Sequence, residues 1–158
     1  MSAFEVALRR QARLPGPPAR AAAFLADVPG WARLFPGVER VEAAPAYGPQ
    51  AFRWTMAPQG PPGYQVRTEY VCRYTFAPDG VAWTPVPGEG NAQFRGGVAL
   101  APEGEAVRAT LDLGATLELP VPAFARRLVQ PALEAAFAAL TDRFLSRLAE
   151  ELSGRGAG

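Results

Sequence analysis

The stretch Ala106-Val107-Arg108-Ala109-Thr110-Leu111-Asp112-Leu113-Gly114-Ala115-Thr116-Leu117-Glu118-Leu119, with the segment Pro122–Leu152 that follows it, decides the fold. In the first, Val107, Ala109, Leu111, Leu113, Ala115, Leu117 and Leu119 alternate with Arg108, Thr110, Asp112, Thr116 and Glu118. That is the period-two pattern of a strand with one face buried and the other in water. In the second, Leu133, Phe137, Leu140, Phe144 and Leu148 recur at helical spacing, with Ala135, Asp142 and Ala149 opposite. At about 3.3 Å per strand residue and about 1.5 Å per helix residue, strand and helix both run roughly 40 Å. A single-sided sheet this long twists and coils, and one long amphipathic helix gives it something to wrap.

Pro131 interrupts the helical pattern, removing one backbone hydrogen bond and crowding the carbonyl of Arg127. Phe124 and Leu128 also fall off the stripe. A kink, or two helical segments meeting near Gln130, is therefore expected, with a disordered tail over Ser153–Gly158.

Upstream, Phe4–Arg10 alternates as a half-buried strand and stops at Leu14-Pro15-Gly16-Pro17-Pro18. Pro17–Asp27 reads as a short helix with proline in its first turn. Val28-Pro29-Gly30 reads as a turn and Trp31–Phe35 as a second helical piece, ended by Pro36-Gly37. Six more strands follow: Val38–Ala44, Ala51–Ala57, Tyr64–Phe76, Val81–Pro85, Ala92–Leu100 and Ala106–Leu119. The turns between them are Pro49-Gln50, Gly60-Pro61-Pro62-Gly63, Pro78-Asp79-Gly80, Pro87-Gly88-Glu89-Gly90 and Pro102-Glu103-Gly104. Connections this short suit antiparallel neighbours. Gly96-Gly97 and Gly114 are natural places for bends or bulges. In the Tyr64–Phe76 strand, Val66, Thr68, Tyr70, Cys72, Tyr74 and Phe76 share the apolar face.

The 158 residues carry a formal net charge of +1, with charged residues at 20% and the arginines spread along the chain apart from the pairs Arg9/Arg10 and Arg126/Arg127, so no strong field favours nucleic acid or an anionic membrane, and nucleic acid is not an expected partner. No stretch is long and apolar enough to span a membrane and no signal peptide is evident, so a cytoplasmic location is expected. The chain has no His, no Lys and no Ile. The first two absences remove the commonest general base and any amine nucleophile, and Ser–His or Cys–His catalysis with them. The single Cys72 allows neither an internal disulfide nor a cysteine-rich zinc site. No metal and no cofactor is expected.

The order of one strand, two short helices, six strands and a long C-terminal helix resembles the START-like (SRPBCC) superfamily. The stretch Leu25-Ala26-Asp27-Val28-Pro29-Gly30-Trp31-Ala32-Arg33-Leu34-Phe35-Pro36-Gly37-Val38-Glu39-Arg40-Val41 is similar to its bacterial members. So is Pro120-Val121-Pro122-Ala123-Phe124 with Pro131 beyond it. The resemblance implies an α+β helix-grip fold over residues 1–152. It also implies a cavity between a curved seven-stranded antiparallel sheet and the C-terminal helix, used for a hydrophobic small-molecule ligand. The candidate lining is Phe52, Trp54 and Met56; Tyr70, Cys72 and Tyr74; Phe94 and Val98; Phe124, Leu128 and Phe137 from the helix; and Trp31 and Phe35 at the entrance.

The resemblance, with residues compatible with it, leaves three functions open. The first is binding or transport of a lipid, isoprenoid or polyketide-like compound. The second is a cyclase/aromatase or dehydratase reaction using Tyr70 or Tyr74. The third is a protein-interaction module, for which a contiguous exposed apolar patch would speak. Cys72 facing an apolar interior reads as a protonated, inert thiol.

Overall fold

The computed structural model describes residues 2–59, 62–63 and 65–156. The chain begins with strand β1 (Ser2–Pro15) and the helices α1 (Pro18–Leu25) and α2 (Val28–Ala32). Six strands follow: β2 (Val38–Ala43), β3 (Ala51–Gln59), β4 (Val66–Ala77), β5 (Gly80–Gly90), β6 (Ala92–Glu103) and β7 (Ala106–Leu119). The last element is helix α3 (Arg126–Gly156). The strands form one antiparallel sheet in the order β1-β7-β6-β5-β4-β3-β2. Strands β2 to β7 are thus a meander, and β1 returns to pair with β7 along its whole length, from Ser2↔Leu119 to Pro15↔Ala106. The curled sheet grips α3, the helix-grip arrangement expected from element order. The core lies between them: Phe4, Leu14, Leu111, Leu117, Phe144, Leu148 and Leu152 are all essentially inaccessible to solvent.

Several elements depart from the sequence expectations. Val28-Pro29-Gly30 is the first turn of α2, because proline within the first helical residues gives up an N–H that has no partner there anyway. Pro87-Gly88-Glu89-Gly90 does not end β5. The strand pairs Cys72 with Pro85 and Tyr70 with Gly90, so Val86–Glu89 form an insertion opposite Val71. The insertion folds Val86 onto Val71, Ala44 and Ala51, making a second small apolar cluster on the convex face. Register stays continuous through Gly96, Gly97 and Gly114. Irregularities fall instead between Val38 and Arg40, Met56 and Gln59, and Tyr70 and Cys72. Gly96 serves curvature another way: at φ +150° its Cβ position is occupied by the Asp112 carbonyl, so no other residue fits this approach of β6 to β7.

Helix α3 continues through Pro131 without a second segment at Gln130, and the change of helix type comes earlier, where a 3₁₀ turn (Ala123–Ala125) meets Arg126. α3 also runs past Leu152 to Gly156, so Ser153–Gly156 are helical and not a disordered tail. Leu152 is fully buried and its carbonyl accepts a hydrogen bond from the Arg20 guanidinium of α1, which ties down this end. Ala149 is packed on the core instead of lying opposite it. Gly60, Pro61, Tyr64, Ala157 and Gly158, for which the sequence also carried expectations, lie outside the described residues.

Candidate functional site

The inner wall of the sheet is aromatic because the strands place Trp54, Tyr70, Tyr74, Trp83 and Phe94 on the same face. Trp54 and Tyr70 are directly paired across β3 and β4, and their rings stack 5.8 Å apart. Tyr70 stacks in turn on Phe94 at 4.1 Å, and Phe94 meets Phe137 of α3 at 5.7 Å. Trp31 stands at the hub, its ring 5.6 to 6.3 Å from Phe35, Trp54, Tyr74, Trp83 and Phe144. Its Nε1–H donates to the Leu25 carbonyl at 2.9 Å. A residue so enclosed and hydrogen-bonded anchors α2 to the sheet, and does not gate an entrance. Phe35 differs: it is only half-buried and lies flat on Phe144, ring centroids 4.0 Å apart.

Between these rings is a chamber of about 40 Å³ lined by Trp31, Phe35, Trp54, Met56, Tyr70, Cys72, Tyr74, Trp83, Phe94, Leu113, Phe137, Leu140 and Thr141. No charged side chain is in that wall. Nine of its members are residues expected from the sequence. Phe52 and Val98 share the inner face but stand off the chamber: Phe52 packs edge-on against Tyr74 and Val98 is ordinary core. Phe124 and Leu128 are not in the wall at all. They are 82% and 57% exposed, because they lie on the side of the 3₁₀ turn Ala123–Ala125 and of α3's first turn that is turned away from the core. Trp83, Leu113, Leu140 and Thr141 were not expected in the wall. Leu113 and Leu140 were visible in the strand and helix stripes, and Trp83 sits at the inward phase of β5; Thr141 is polar and gave no signal.

The polar atoms of the wall are few. The Cys72 thiol donates to the Phe94 carbonyl at 3.3 Å, and burial pushes its pKa up to about 12. Burial likewise holds the Tyr70 and Tyr74 phenols well above their usual value, so both are neutral donors across the physiological range. Thr141 Oγ1 donates to the Phe137 carbonyl one turn back. The buried Trp54 Nε1–H has no hydrogen-bond partner among the described residues, and it lies close enough to the Tyr74 phenol to oppose the rise that burial gives that group's pKa. Such a wall can solvate an apolar body and donate hydrogen bonds to an oxygen on it. Its neutral phenols and thiol cannot act as bases near pH 7. Among the described residues no cluster of three or more His, Cys, Asp or Glu side chains could hold a metal.

Solved structures with this architecture come from several bacteria. The chain is similar to the Zhui aromatase/cyclase from Streptomyces sp. R1128, with 18% identity, a TM-score of 0.67 and 96% of each chain covered. It is similar to TTHA0849 from Thermus thermophilus, with 23% identity, a TM-score of 0.64, and 90% of this chain and 96% of that one covered. A START superfamily protein from Mycobacterium smegmatis aligns at 12% identity and a TM-score of 0.62, covering 92% of this chain and 98% of its own. These likenesses establish the fold. No match was found among curated proteins. The model of one family, described as polyketide cyclase / dehydrase and lipid transport, matches residues 5–153, and with nearly its whole length accounted for the chain belongs to that family.

Proposed function

We propose that the protein binds and carries a hydrophobic small molecule of the lipid, isoprenoid or polyketide-like class in the chamber between sheet and α3. The observation that carries this reading is the wall itself: aromatic and aliphatic on every side, uncharged, with a few neutral donors. That is the usual chemistry of a small-molecule pocket. The chamber's size sets a condition. At about 40 Å³ it has room for a water or two, whereas pockets for drug-sized ligands run to roughly 300–1,000 Å³. The ligand therefore enters by displacing side chains. Phe35, Leu113 and Leu140, the half-buried members of the wall, are the ones with room to move.

All three tryptophans of the sequence line the chamber. Occupancy should quench or shift their fluorescence, and titration with fatty acids, isoprenoid quinones and polycyclic phenols measures it directly. Native mass spectrometry of the purified protein gives a second readout. Unchanged emission with every class, and a bare protein mass, would sink the reading.

The same wall supports a cyclase- or dehydratase-like reading, favoured by the two neutral phenols beside the unpartnered Trp54 N–H. In that reading Tyr70 or Tyr74 polarises a ligand carbonyl by donating to its oxygen. Turnover lost in Tyr70→Phe or Tyr74→Phe, with binding retained, separates it from simple carriage.

A further inference from the structure

Phe124 and Leu128 are the only large hydrophobic side chains exposed among the described residues, and they lie one turn apart where the 3₁₀ turn joins α3. Arg126 and Arg127 sit between them. Arg126 has its guanidinium 4.9 Å over the buried Phe4 ring, while Arg127 is exposed and makes no ion pair among those found in the described residues. From Leu119 to Leu133 there is no Asp or Glu. In sequence the stretch is flanked by Glu118 of β7 and Glu134 of α3, and Glu5 of β1 is tied to it through Gln130. Glu134 accepts from the Gln130 amide, which also donates to the Glu5 carbonyl. Two features here run against folding economy: apolar side chains left in water, and two cations at the helix end whose dipole favours anions.

We propose that Phe124–Leu128 is a docking surface for an anionic lipid bilayer. Phe124 and Leu128 enter the boundary between headgroups and acyl chains, and Arg126 and Arg127 pair with lipid phosphates. Charge complementarity selects this occupant, since a bilayer of acidic lipids offers apolar depth and negative charge side by side. Two apolar side chains fall far short of the roughly 800 Å² per partner that a stable protein interface buries. No helix among the described residues is long and apolar enough to cross a membrane, so the contact is peripheral where the helix is concerned. Leu128 is nine residues from Phe137, about 13 Å along the helix, so docking sets the helix side of the chamber close to the bilayer.

Co-sedimentation with phosphatidylcholine vesicles, with and without phosphatidylserine, tests the proposal. The full chain should bind the serine-containing vesicles, and more weakly as salt is raised. Arg126→Gln with Arg127→Gln should lower that affinity by about thirtyfold, from roughly a kilocalorie per arginine. Arg127→Gln alone, which leaves the contact with Phe4 intact, should lower it about fivefold. Phe124→Ser with Leu128→Ser should abolish binding while the melting temperature holds, since both residues are exposed. Equal binding to both vesicle types, or wild-type binding by the serine variant, would overturn the proposal. So would a concentration-dependent dimer that the serine variant loses, which would make the patch a contact between copies.

Discussion

At the scale of single residues, Cys72 and its two tyrosine neighbours make the interior a pH-sensitive part of the structure only in alkali. All three groups are neutral when protonated, and burial raises their folded values above the ordinary 9.0 of a thiol and 10.0 of a phenol. Their contribution to stability is whole below those ordinary values and is lost as pH climbs through the folded ones. For the thiol the window opens near pH 9 and closes at about 12. Within it each such group costs about 1.4 kcal/mol of stability per pH unit. Melting temperature should therefore be flat from pH 6 to about 8.5 and then fall, and Cys72→Ala should flatten the earliest part of the fall. A thiol reagent at pH 8 should label the folded protein hardly at all and the denatured chain at once. Trp31 is the residue on which the aromatic cluster turns. Trp31→Ala should destabilise by about 3–5 kcal/mol, leaving a hole among five rings. Trp31→Phe should cost less, mainly the lost bond to the Leu25 carbonyl and some ring area, on the order of 1–2 kcal/mol. Denaturant unfolding of the two variants measures the difference.

At the scale of elements, Pro131 is the clearest anomaly, a proline five residues into a 31-residue helix. It leaves the Arg127 carbonyl without its helical donor, yet α3 runs on, held by Val129, Leu133 and Phe137 beneath it. Because Pro131 is exposed, Pro131→Ala should restore that bond and stabilise by about 2 kcal/mol, net of the stiffening proline gives the unfolded chain. No rise in melting temperature would mean the helix is distorted here for packing reasons that alanine cannot relieve. The same contest between local signal and packing explains what could be read in the sequence. Strands β4 and β7 were legible because alternation survives when one face is buried, and most of the wall followed from their phase and that of β3. The start of α2 and the far half of β5 were not. Val-Pro-Gly is equally good as a turn or a helical first turn, and Pro87-Gly88-Glu89 signals chain reversal whether the strand ends or merely bulges. Phe124 and Leu128 belong to the wall only by the resemblance, since both fall off the helical stripe. That phase was the better guide: the neighbouring Ala125 and Val129 take the buried side, which turns Phe124 and Leu128 out.

At the scale of the whole molecule, the small chamber and the binding role proposed for it have to be reconciled energetically. A core packed at crystal density leaves no room for a guest, so on the proposed function binding would draw on a minor population in which the half-buried rim has moved. The apparent affinity is then the intrinsic affinity reduced by the fraction of open molecules. This makes stability and binding respond oppositely to one change. Leu140 is half-buried at the rim and borders the chamber. Leu140→Ala removes packing and should lower stability by about 2 kcal/mol, at the low end for such truncations because the site is part-exposed. It should also enlarge the open fraction and so tighten binding, by up to tenfold if roughly 1.4 kcal/mol of the opening cost disappears. Phe137→Ala, deeper and almost fully buried, should cost about 3–5 kcal/mol and take away a ring that the ligand itself would stack on. Tryptophan-fluorescence titration at pH 7, with chemical denaturation in parallel, reads both quantities on the same samples. If Leu140→Ala loses stability and affinity together, the leucine is a contact and not a barrier, and the chamber must open elsewhere, at Phe35 or Leu113. If affinity rises as stability falls, the filled interior is the closed state of a binding site.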